Sequence, residues 1–539
     1  MSLRRMITLF LGGVLFLGIF SSPSMARDPM TAINGLAAKS RKTILESIDA
    51  VSSSGDSRAL EALQALGQKR LARDAQGRAV ILDRSGDTGI YADTGGVFVG
   101  EIKSLKKPVI NNRVRRRLKG AIAGLNLFSD NSAVRLKAAK ELTARPRMDA
   151  AETIQKALER EKEPRVRDTL ALALALAQIN SPQKATRIEA IGQLGQSGNA
   201  QYTPLLKPFV AQNSAGEFVE TDPEVRQAAK AAIRAIHTRV VMVRSVQDLF
   251  YGISLGSVLL LAALGLAITF GLMGVINMAH GEMLMVGAYA TYVTQNLFKM
   301  YFPDLFGLYL IAALPMAFAA ACLVGMALER CIIRFLYGRP LETLLASWGI
   351  SLLMIQTVRL IFGAQNVEVA NPAWLSGAAE PVTGLVLTYN RLGIIGFVIA
   401  VVVLVWLLLN HTGLGLKVRC VTQNRPMASA MGVNTGRVDM WTFGIGSGIA
   451  GLGGAALSQI GNVGPELGQG YIVDSFMVVV LGGVGKIAGT ICGAMGLGVI
   501  NKFIEPHTGA VLGKILLLAF IILFIQKRPQ GLFAQKVRA

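Results

Sequence analysis

Apolar residues are distributed unevenly along this chain of 539 residues. A short apolar run lies between Met6 and Phe20, a long stretch of ordinary soluble pattern follows, and after Leu249 the sequence is mostly apolar. Such changes in pattern separate parts of a chain that fold in different surroundings. The pattern predicts a leader at 1–26, a soluble domain at 27–248 and a membrane domain at 249–539.

The leader has the order of a secretory signal peptide. Arg4 and Arg5 precede the apolar run, and the small residues Ser24 and Ala26 follow it, which favours cleavage after Ala26. The alternative is an uncleaved anchor helix, although the run is shorter than the roughly 20 residues that a membrane span needs. In both cases we expect residues 27–248 on the extracytoplasmic side of the membrane.

The soluble domain contains an irregular internal repeat. Each copy combines a polar turn, a basic residue and a helix rich in Ala and Leu; the copies are SDNSAVRLKAAKEL (129–142), EKEPRVRDTLALALA (161–175), SPQKATRIEAIGQLG (181–195) and TDPEVRQAAKAAIRAI (221–236). Their equivalent arginines are Arg135, Arg167, Arg187 and Arg226. The pattern resembles short HEAT-like repeats, whose helices bury their apolar faces against neighbouring copies. A plain bundle of Ala-rich amphipathic helices is the alternative.

The membrane domain contains apolar segments long enough to cross a bilayer. Seven are continuous, at 252–273, 279–298, 308–329, 343–362, 392–410, 438–461 and 508–526. An eighth apolar region, 473–503, is interrupted by LGGVGKIAG, where the glycines lower the helix preference and Lys486 is costly at membrane depth. The predicted fold class is all-α: a polytopic helical membrane domain with an exported N-terminal helical-repeat domain.

Basic residues predict how the spans are oriented. They concentrate in two loops and in the tail, as Arg330, Arg334 and Arg339, then Lys417, Arg419, Arg425 and Arg437, then Lys527, Arg528, Lys536 and Arg538. The positive-inside rule places these three segments in the cytoplasm. An outside start and an inside tail need an odd number of crossings, which seven spans provide if 473–503 enters from outside and returns.

Composition agrees with a membrane protein that carries a basic soluble domain. The chain is 52% hydrophobic, and its 17% charged residues are below the roughly 25% typical of soluble domains. All four cysteines lie after Leu249, so the exported domain has no disulfides. Residues 27–248 hold 36 Lys and Arg against 24 Asp and Glu, a net charge of about +12. Outside the cytoplasm, an acidic protein or an anionic lipid surface is a better partner for that charge than nucleic acid.

Polar residues within the apolar segments are candidates for a substrate pathway. Asn277, His280 and Glu282 lie in the apolar stretch GLMGVINMAHGEMLMVGAYATY, and the others are Gln356, Thr442, Ser447, Ser458, Gln459 and Ser475. Polar groups at membrane depth face a protein interior or a wet path. The alternative for each residue is a hydrogen bond between helices.

Two groups of glycines have different interpretations. Five in one span, Gly446, Gly448, Gly451, Gly453 and Gly454, are best explained by close helix packing. Those in the interrupted region, Gly482, Gly483, Gly485 and Gly489, either pack or expose backbone to a substrate.

Enzyme chemistry is not supported by any motif. GGVGKIAG lacks the first glycine and the Ser/Thr of a phosphate-binding loop, since Val480 and Ile487 occupy those positions. Four scattered histidines give no HExxH spacing, and no Gly-x-Ser-x-Gly elbow occurs. We therefore expect no catalytic residue, cofactor or metal.

The loop at 411–437 contains a candidate partner surface. In RPMASAMGVNTGR, Pro426 suits the start of a helix and Gly432 its end, which predicts a short helix at 426–431. The helix would display Met427, Ala428, Ala430 and Met431, and an apolar patch in a solvated loop favours a protein partner. A helix lying on the bilayer surface is the alternative.

Five blocks of the membrane domain resemble a known family. In order, they are GLMGVINMAHGEMLMVGAY, LERCIIRFLYGRPL, GLGLKVRCVTQNRPMASAMGVNTGRVDMWTFGIGSGIAGLGG, VVLGGVGKIAGTICGAMGLGV and KRPQGLF. They are similar to the permease subunits of ATP-driven importers for branched-chain amino acids and urea, and the exported extension is similar to that of the urea-type members.

The resemblance implies a function and a set of partners. It implies translocation of urea or a similar small neutral solute, with a branched-chain amino acid or a short-chain amide as the alternative substrate. It implies a second permease subunit, two ATP-binding cassette ATPase subunits docked at the segment 426–432, and an exported solute-binding protein. A membrane receptor or scaffold that displays the repeat domain is the alternative from another functional class.

Overall fold

A computed structural model describes residues 29–52, 57–83, 87–529 and 531–533. The predicted signal peptide lies outside these residues. The chain divides into two compact units between Arg239 and Val240.

The amino-terminal unit is mainly helical. Its helices are α1 (Pro29–Gly35), α2 (Arg41–Ser52), α3 (Ser57–Gly67), α4 (Asn112–Asn126), α5 (Ser132–Ala144), α6 (Ala151–Arg160), α7 (Pro164–Gln178), α8 (Lys184–Ser197), α9 (Thr203–Leu206) and the first part of α10 (Pro223–Met273). Asparagine side chains cap two of them: Asn111 Oδ1 accepts from Val114 N at 2.9 Å, and Asn131 Oδ1 accepts from Ala133 N at 2.9 Å.

A small antiparallel sheet follows α3, where the sequence predicted only helices. It consists of β1 (Leu71–Arg73), β2 (Ala79–Leu82) and β3 (Gly89–Tyr91) in that spatial order. Asp74 Oδ1 accepts from Arg78 N at 2.7 Å, and Gly77 has a φ of +90°, which closes the β1–β2 turn. The all-α prediction is wrong for these residues, because three short strands produce too little alternation to detect.

Three of the four equivalent arginines make the same contacts. Each donates through Nη1 to the two carbonyl oxygens five and six residues earlier: Arg135 to Ser129 and Asp130, Arg187 to Ser181 and Pro182, and Arg226 to Glu220 and Thr221. Arg135 also binds both oxygens of Glu161, and Arg187 binds Glu220, each on the turn before a later helix. We call this arrangement the arginine clamp. Among the described residues, Arg167 does not form this clamp.

The carboxyl-terminal unit contains long helices and one hairpin. Its elements are the rest of α10, α11 (His280–Tyr301), α12 (Tyr309–Cys331), α13 (Pro340–Phe362), β4 (Ala378–Val382), β5 (Leu385–Thr388), α14 (Tyr389–His411), α15 (Gly413–Gln423), α16 (Arg425–Ala430), α17 (Thr435–Ser458), α18 (Leu467–Gly482), α19 (Ile487–Thr508) and α20 (Ala510–Lys527). The antiparallel hairpin β4–β5 was not predicted either.

Seven helices in the described part of the chain are long and apolar enough to cross a membrane. Six of them overlap predicted spans, and the seventh, α19, is the second half of the interrupted region 473–503. The predicted span 279–298 forms α11, which is not among the seven because buried polar residues such as Glu282, Thr291 and Gln295 lower its hydropathy. The direction in which 473–503 enters the membrane remains a prediction.

Helix α11 lies at the centre of this unit and packs against α12, α17 and α18. Glycines permit the close approach: a Cβ on Gly454 would overlap Leu284 O of α11, and one on Gly287 would overlap the backbone of Gly451. Gly451 in turn faces Ala317 and Ala321 of α12. These contacts agree with a packing role for the α17 glycines.

The arginine clamp generates a testable pH dependence. Hydrogen bonds from Arg135 lower the pKa of the Glu161 carboxyl below its ordinary value of 4.5, against the opposing effect of burial. A carboxyl with a lowered folded-state pKa stabilises the fold above its unfolded value, and this stabilisation is lost as the pH falls through the folded value. We expect the hydrogen-exchange protection of α5 and α7 in the purified full-length chain, corrected for intrinsic rates, to fall progressively below pH 4.5.

Two variants control this measurement. Glu161→Gln should remove most of the pH dependence, while Glu159→Gln, which alters an exposed carboxylate on α6, should leave it unchanged. An unchanged acid response in Glu161→Gln would show that other groups govern the stability of these helices.

Candidate functional site

The chain is broken between α10 and α11, at residues 274–279. Gly274 adopts a φ of +69° and its N–H donates to Phe270 O at 3.0 Å, which ends α10. Asn277 is buried, and its Oδ1 accepts from Ala279 N at 3.0 Å just before α11 begins. Its Nδ2 has no hydrogen-bond partner among the described residues. We call residues 274–279 the polar break.

His280 lies at the first position of α11 and is fully buried. Its Nε2 is 3.0 Å from Ala262 O of α10, and a carbonyl only accepts, so this nitrogen carries the proton. Nδ1 is then an acceptor, and it lacks a partner in the described structure. Gly265 of α10 leaves room for the ring, because a Cβ there would lie 2.9 Å from His280 Cε1.

Two serines of α13 bind the polar break and the start of α11. Ser347 Oγ accepts from Met278 N at 3.0 Å, and Ser351 Oγ donates to Glu282 Oε1 at 2.9 Å. Glu282 is buried, and its Oε2 finds no partner within the described ranges. Sequence reasoning missed both serines, although their spacing of one helical turn within an apolar helix is a detectable signal.

Ser458 and Gln459 belong to a second polar group, at the end of α17. Gln459 Nε2 donates to Tyr309 OH at 3.3 Å and to Ser458 Oγ at 3.2 Å, and the Tyr309 hydroxyl also donates to Ala370 O. Gln295 Oε1 of α11 accepts from Ala370 N at 2.6 Å. These bonds join α11, α12 and α17 to the loop before the β4–β5 hairpin, and Tyr309 and Gln295 were not predicted.

The remaining pathway candidates lie apart from these two groups. Gln356 is exposed on α13. Ser475 and Thr442 are buried, but each donates to a carbonyl of its own helix, at 2.8 Å and 2.7 Å. Ser447 on α17 is buried beside Gly325, and its Oγ has no partner in the described part of the chain.

The glycines of the interrupted region lie at a tight reversal between α18 and α19. A Cβ on Gly482 would overlap the backbone of Gly489, and the reverse also holds. Gly483 and Gly485 have φ values of +98° and +82°, which favour glycine. A Cβ on Gly271, near the end of α10, would lie 2.5 Å from Gly485 Cα. Close packing and turn geometry account for these glycines.

The predicted short helix exists as α16, one residue earlier than expected. Asn424 Oδ1 accepts from Met427 N at 3.0 Å and caps it, and Gly432 follows with a φ of +82°. Pro426, Met427, Ala430 and Met431 are exposed, whereas Ala428 is buried and is not displayed as predicted. We call the exposed face of residues 426–432 the loop surface.

Charged and aromatic residues attach α16 to the ends of two long helices. Arg425 forms an ion pair with buried Asp439 of α17, and its guanidinium lies 4.7 Å from the Tyr337 ring centroid. Tyr337 OH donates to Glu329 Oε1 of α12 at 3.2 Å. Burial raises the pKa of the Tyr337 phenol above its ordinary value, so it remains a donor. These contacts join α16 to α12 and α17.

Comparison with known families identifies the membrane part of the chain. The family described as "Branched-chain amino acid transport system / permease component" matches residues 249–525. The permease protein LivH of the high-affinity branched-chain amino acid transport system of Salmonella typhimurium is 29% identical over 294 residues, which cover 54% of this chain and 95% of that protein.

Two further relatives match the same part of the chain. BraD, the corresponding permease protein of Pseudomonas aeruginosa, is 28% identical over 295 residues, with 54% of this chain and 95% of that protein covered. A probable LivH of Methanocaldococcus jannaschii is 26% identical over 296 residues, with 51% and 88% covered. The chain belongs to the family of permease components of branched-chain amino acid transport systems.

Proposed function

We propose that this chain is the permease subunit of an ATP-binding cassette importer that moves urea, or a similar small neutral solute, across a bacterial cytoplasmic membrane. Family membership supports the permease role and a multi-pass location in the membrane. The observation that carries the substrate proposal is the set of buried, unpartnered polar atoms at and beside the polar break.

Those atoms match the hydrogen-bonding groups of urea. Asn277 Nδ2 can donate to a carbonyl oxygen, and Glu282 Oε2 and His280 Nδ1 can accept from N–H groups. A buried polar atom without a partner costs about 1–3 kcal/mol. A solute that forms hydrogen bonds with these atoms as it passes recovers that free energy. Ser347 and Ser351 are not included, because their hydroxyl groups already form hydrogen bonds within the protein.

The long amino-terminal region also favours urea over an amino acid. The family match begins at residue 249, so residues 27–248 lie outside it, and the alignments with LivH and BraD each cover 54% of this chain. An exported extension ahead of the permease resembles the urea-type members. We place this extension on the extracytoplasmic side, as the leader predicts.

A branched-chain amino acid is the second candidate substrate. The names of LivH and BraD favour it, and Glu282 can bind an ammonium group as well as a neutral amide. A receptor or scaffold is no longer favoured, since the family consists of transport components.

The partners follow from the importer proposal. We expect a second permease subunit, two ATPase subunits and an exported solute-binding protein around the bilayer-embedded chain. The loop surface at 426–432 is the proposed ATPase contact, because Met427 and Met431 are exposed there. The ion pair between Arg425 and Asp439 fixes the helix to α17.

Uptake measurements distinguish the two substrates. Cells that lack this protein, and the same cells restored with it, would be assayed for accumulation of labelled urea and labelled leucine. Restored urea uptake supports the proposal. Restored leucine uptake without urea uptake would assign the chain to amino acid transport and leave its permease role intact.

Asn277→Leu tests the polar break. The variant removes the unpartnered donor, and we expect solute uptake to fall by about tenfold or more, which corresponds to the loss of one buried hydrogen bond. In Asn277→Ser, the hydroxyl can still accept from Ala279 N, so the turn should be kept while the amide donor is lost. This variant should also transport poorly, which would show that the solute contact and not the turn is responsible.

Thr357→Leu is the matched control for this change. It makes a comparable polar-to-apolar replacement on an exposed position of α13, so uptake should be retained. Membrane abundance of each variant would be measured by immunoblot. Full uptake in both Asn277 variants would show that the polar break does not contact the solute.

Ala430→Trp tests the loop surface. Because Ala430 is exposed, the chain should fold and insert, but the indole should clash in an ATPase groove. We expect co-purification of the ATPase subunits and solute-stimulated ATP hydrolysis to fall by about tenfold, a loss typical of a residue near the centre of an interface.

Ala378→Trp provides the same substitution at another exposed alanine, in β4. The loop that contains β4 is predicted to lie on the opposite side of the membrane, so ATPase retention should be unchanged. Equal retention in Ala430→Trp would favour a helix that lies on the lipid surface.

A further inference from the structure

A cavity in the amino-terminal unit is lined by an excess of cationic side chains. It has a volume of about 870 Å³ and lies among residues of α2, α4 and the end of α5. Six cationic residues line it against two acidic ones: Arg113, Arg116, Arg117, Lys119, Arg145 and Arg147 against Asp49 and Glu141. An adjoining cavity of about 240 Å³ shares three of the cations and adds Arg115.

Two of the cations have carboxylate partners within the structure. Arg117 forms ion pairs with Asp49 and Asp149. Arg147 Nη2 lies 2.6 Å from Asp149 Oδ2. These ion pairs fix one wall of the cavity and neutralise the positive charge of Arg117 and Arg147.

The other four cations are not neutralised in this way. Within the described ranges, no carboxylate lies in ion-pair distance of Arg113, Arg116, Lys119 or Arg145, all of which are exposed. Glu141 is the remaining acid of the lining. Like charges brought together by α4 and the end of α5 repel one another, and the resulting positive potential attracts anions.

The shape of the cavity favours a ligand with an organic body. Leu45, Ala123, Leu142 and Pro146 supply apolar lining beneath the charges. Gly120 keeps one side open, since a Cβ there would lie 3.1 Å from Arg147 Nη1. Small-molecule sites commonly have volumes of about 300–1,000 Å³. A flat bilayer surface cannot enter such a concave site.

We propose that this cavity binds a small organic anion that carries two or more carboxylate or phosphate groups. The guanidinium groups of Arg116 and Arg145 present paired N–H donors that match the oxygens of either group. Arg113 and Lys119 add charge at the rim, and the apolar lining contacts the carbon skeleton. All the lining residues belong to the amino-terminal unit.

Calorimetry on the purified full-length chain in an uncharged detergent tests the proposal. Citrate is the carboxylate probe and pyrophosphate the phosphate probe, so the two arms distinguish the anionic groups. We expect saturable binding of at least one probe, weakened at high salt, because salt screens exposed charges. The double variant Arg116→Gln/Arg145→Gln should weaken the binding by about tenfold or more.

The double variant Arg165→Gln/Lys207→Gln is the matched control. It removes the same charge at exposed positions of the same unit outside the cavity, so binding should be unchanged. Hydrogen exchange of α4 and α5 would verify that each variant is folded. Equal weakening in both double variants, or no saturable binding of either probe, would overturn the proposal.

Two macromolecular probes complete the experiment. Hexaglutamate peptide and vesicles of phosphatidylglycerol would be tested against the same variants. Binding of either one that depends on Arg116 and Arg145, without binding of citrate or pyrophosphate, would replace the small anion with an acidic protein segment or a lipid surface and so contradict the proposal.

Discussion

Close backbone packing around α11 is the constraint on which the membrane unit depends. Helices in a bilayer gain little from the hydrophobic effect when they associate, so they need close contact to gain dispersion energy. Gly451 and Gly454 of α17 provide this contact, since Gly451 faces Gly287 of α11 and Gly454 faces Leu284. A helix enclosed on several sides can carry polar residues such as Gln295 and Glu282 that would be costly against lipid.

The burial of the polar break results from the enclosure of α11 by its neighbouring helices. Because α11 begins inside the protein, its first residues and the preceding turn bring Asn277, His280 and Glu282 into a buried setting. Ser351 of α13 donates to Glu282, and Ser347 accepts from the Met278 N–H in the preceding turn. The atoms left without a partner among the described residues are those that we assign to the solute, and the packing that buries them also limits which solutes fit.

Arginine side chains have three different roles in this chain, and the role of each depends on which acceptor groups lie within hydrogen-bond distance. In the clamp, Arg135 and Arg187 bind carbonyl oxygens and a glutamate, so their charge stabilises the repeat turns. Arg425 binds a buried aspartate and anchors a short helix at the loop surface. In the cationic cavity, neither Arg116 nor Arg145 has such a carboxylate among the described residues. Arg116 Nε donates to Asn112 O, and the Nη groups of both arginines are available to a ligand.

The sequence by itself determined the long helices, the short helix near 426–431 and the family, because apolar length, helix caps and ordered motifs are local properties. It also identified Asn277, His280 and Glu282, since polar residues in apolar runs are visible without a structure. The small sheet, the burial of Ala428 and the exposure of Gln356 were decided by tertiary structure. Tertiary structure also decided the hydrogen-bond partners Ser347, Ser351 and Tyr309 and the cationic cavity. Each depends on which faces of distant segments come into contact, and the periodicity of a helix does not determine its neighbours.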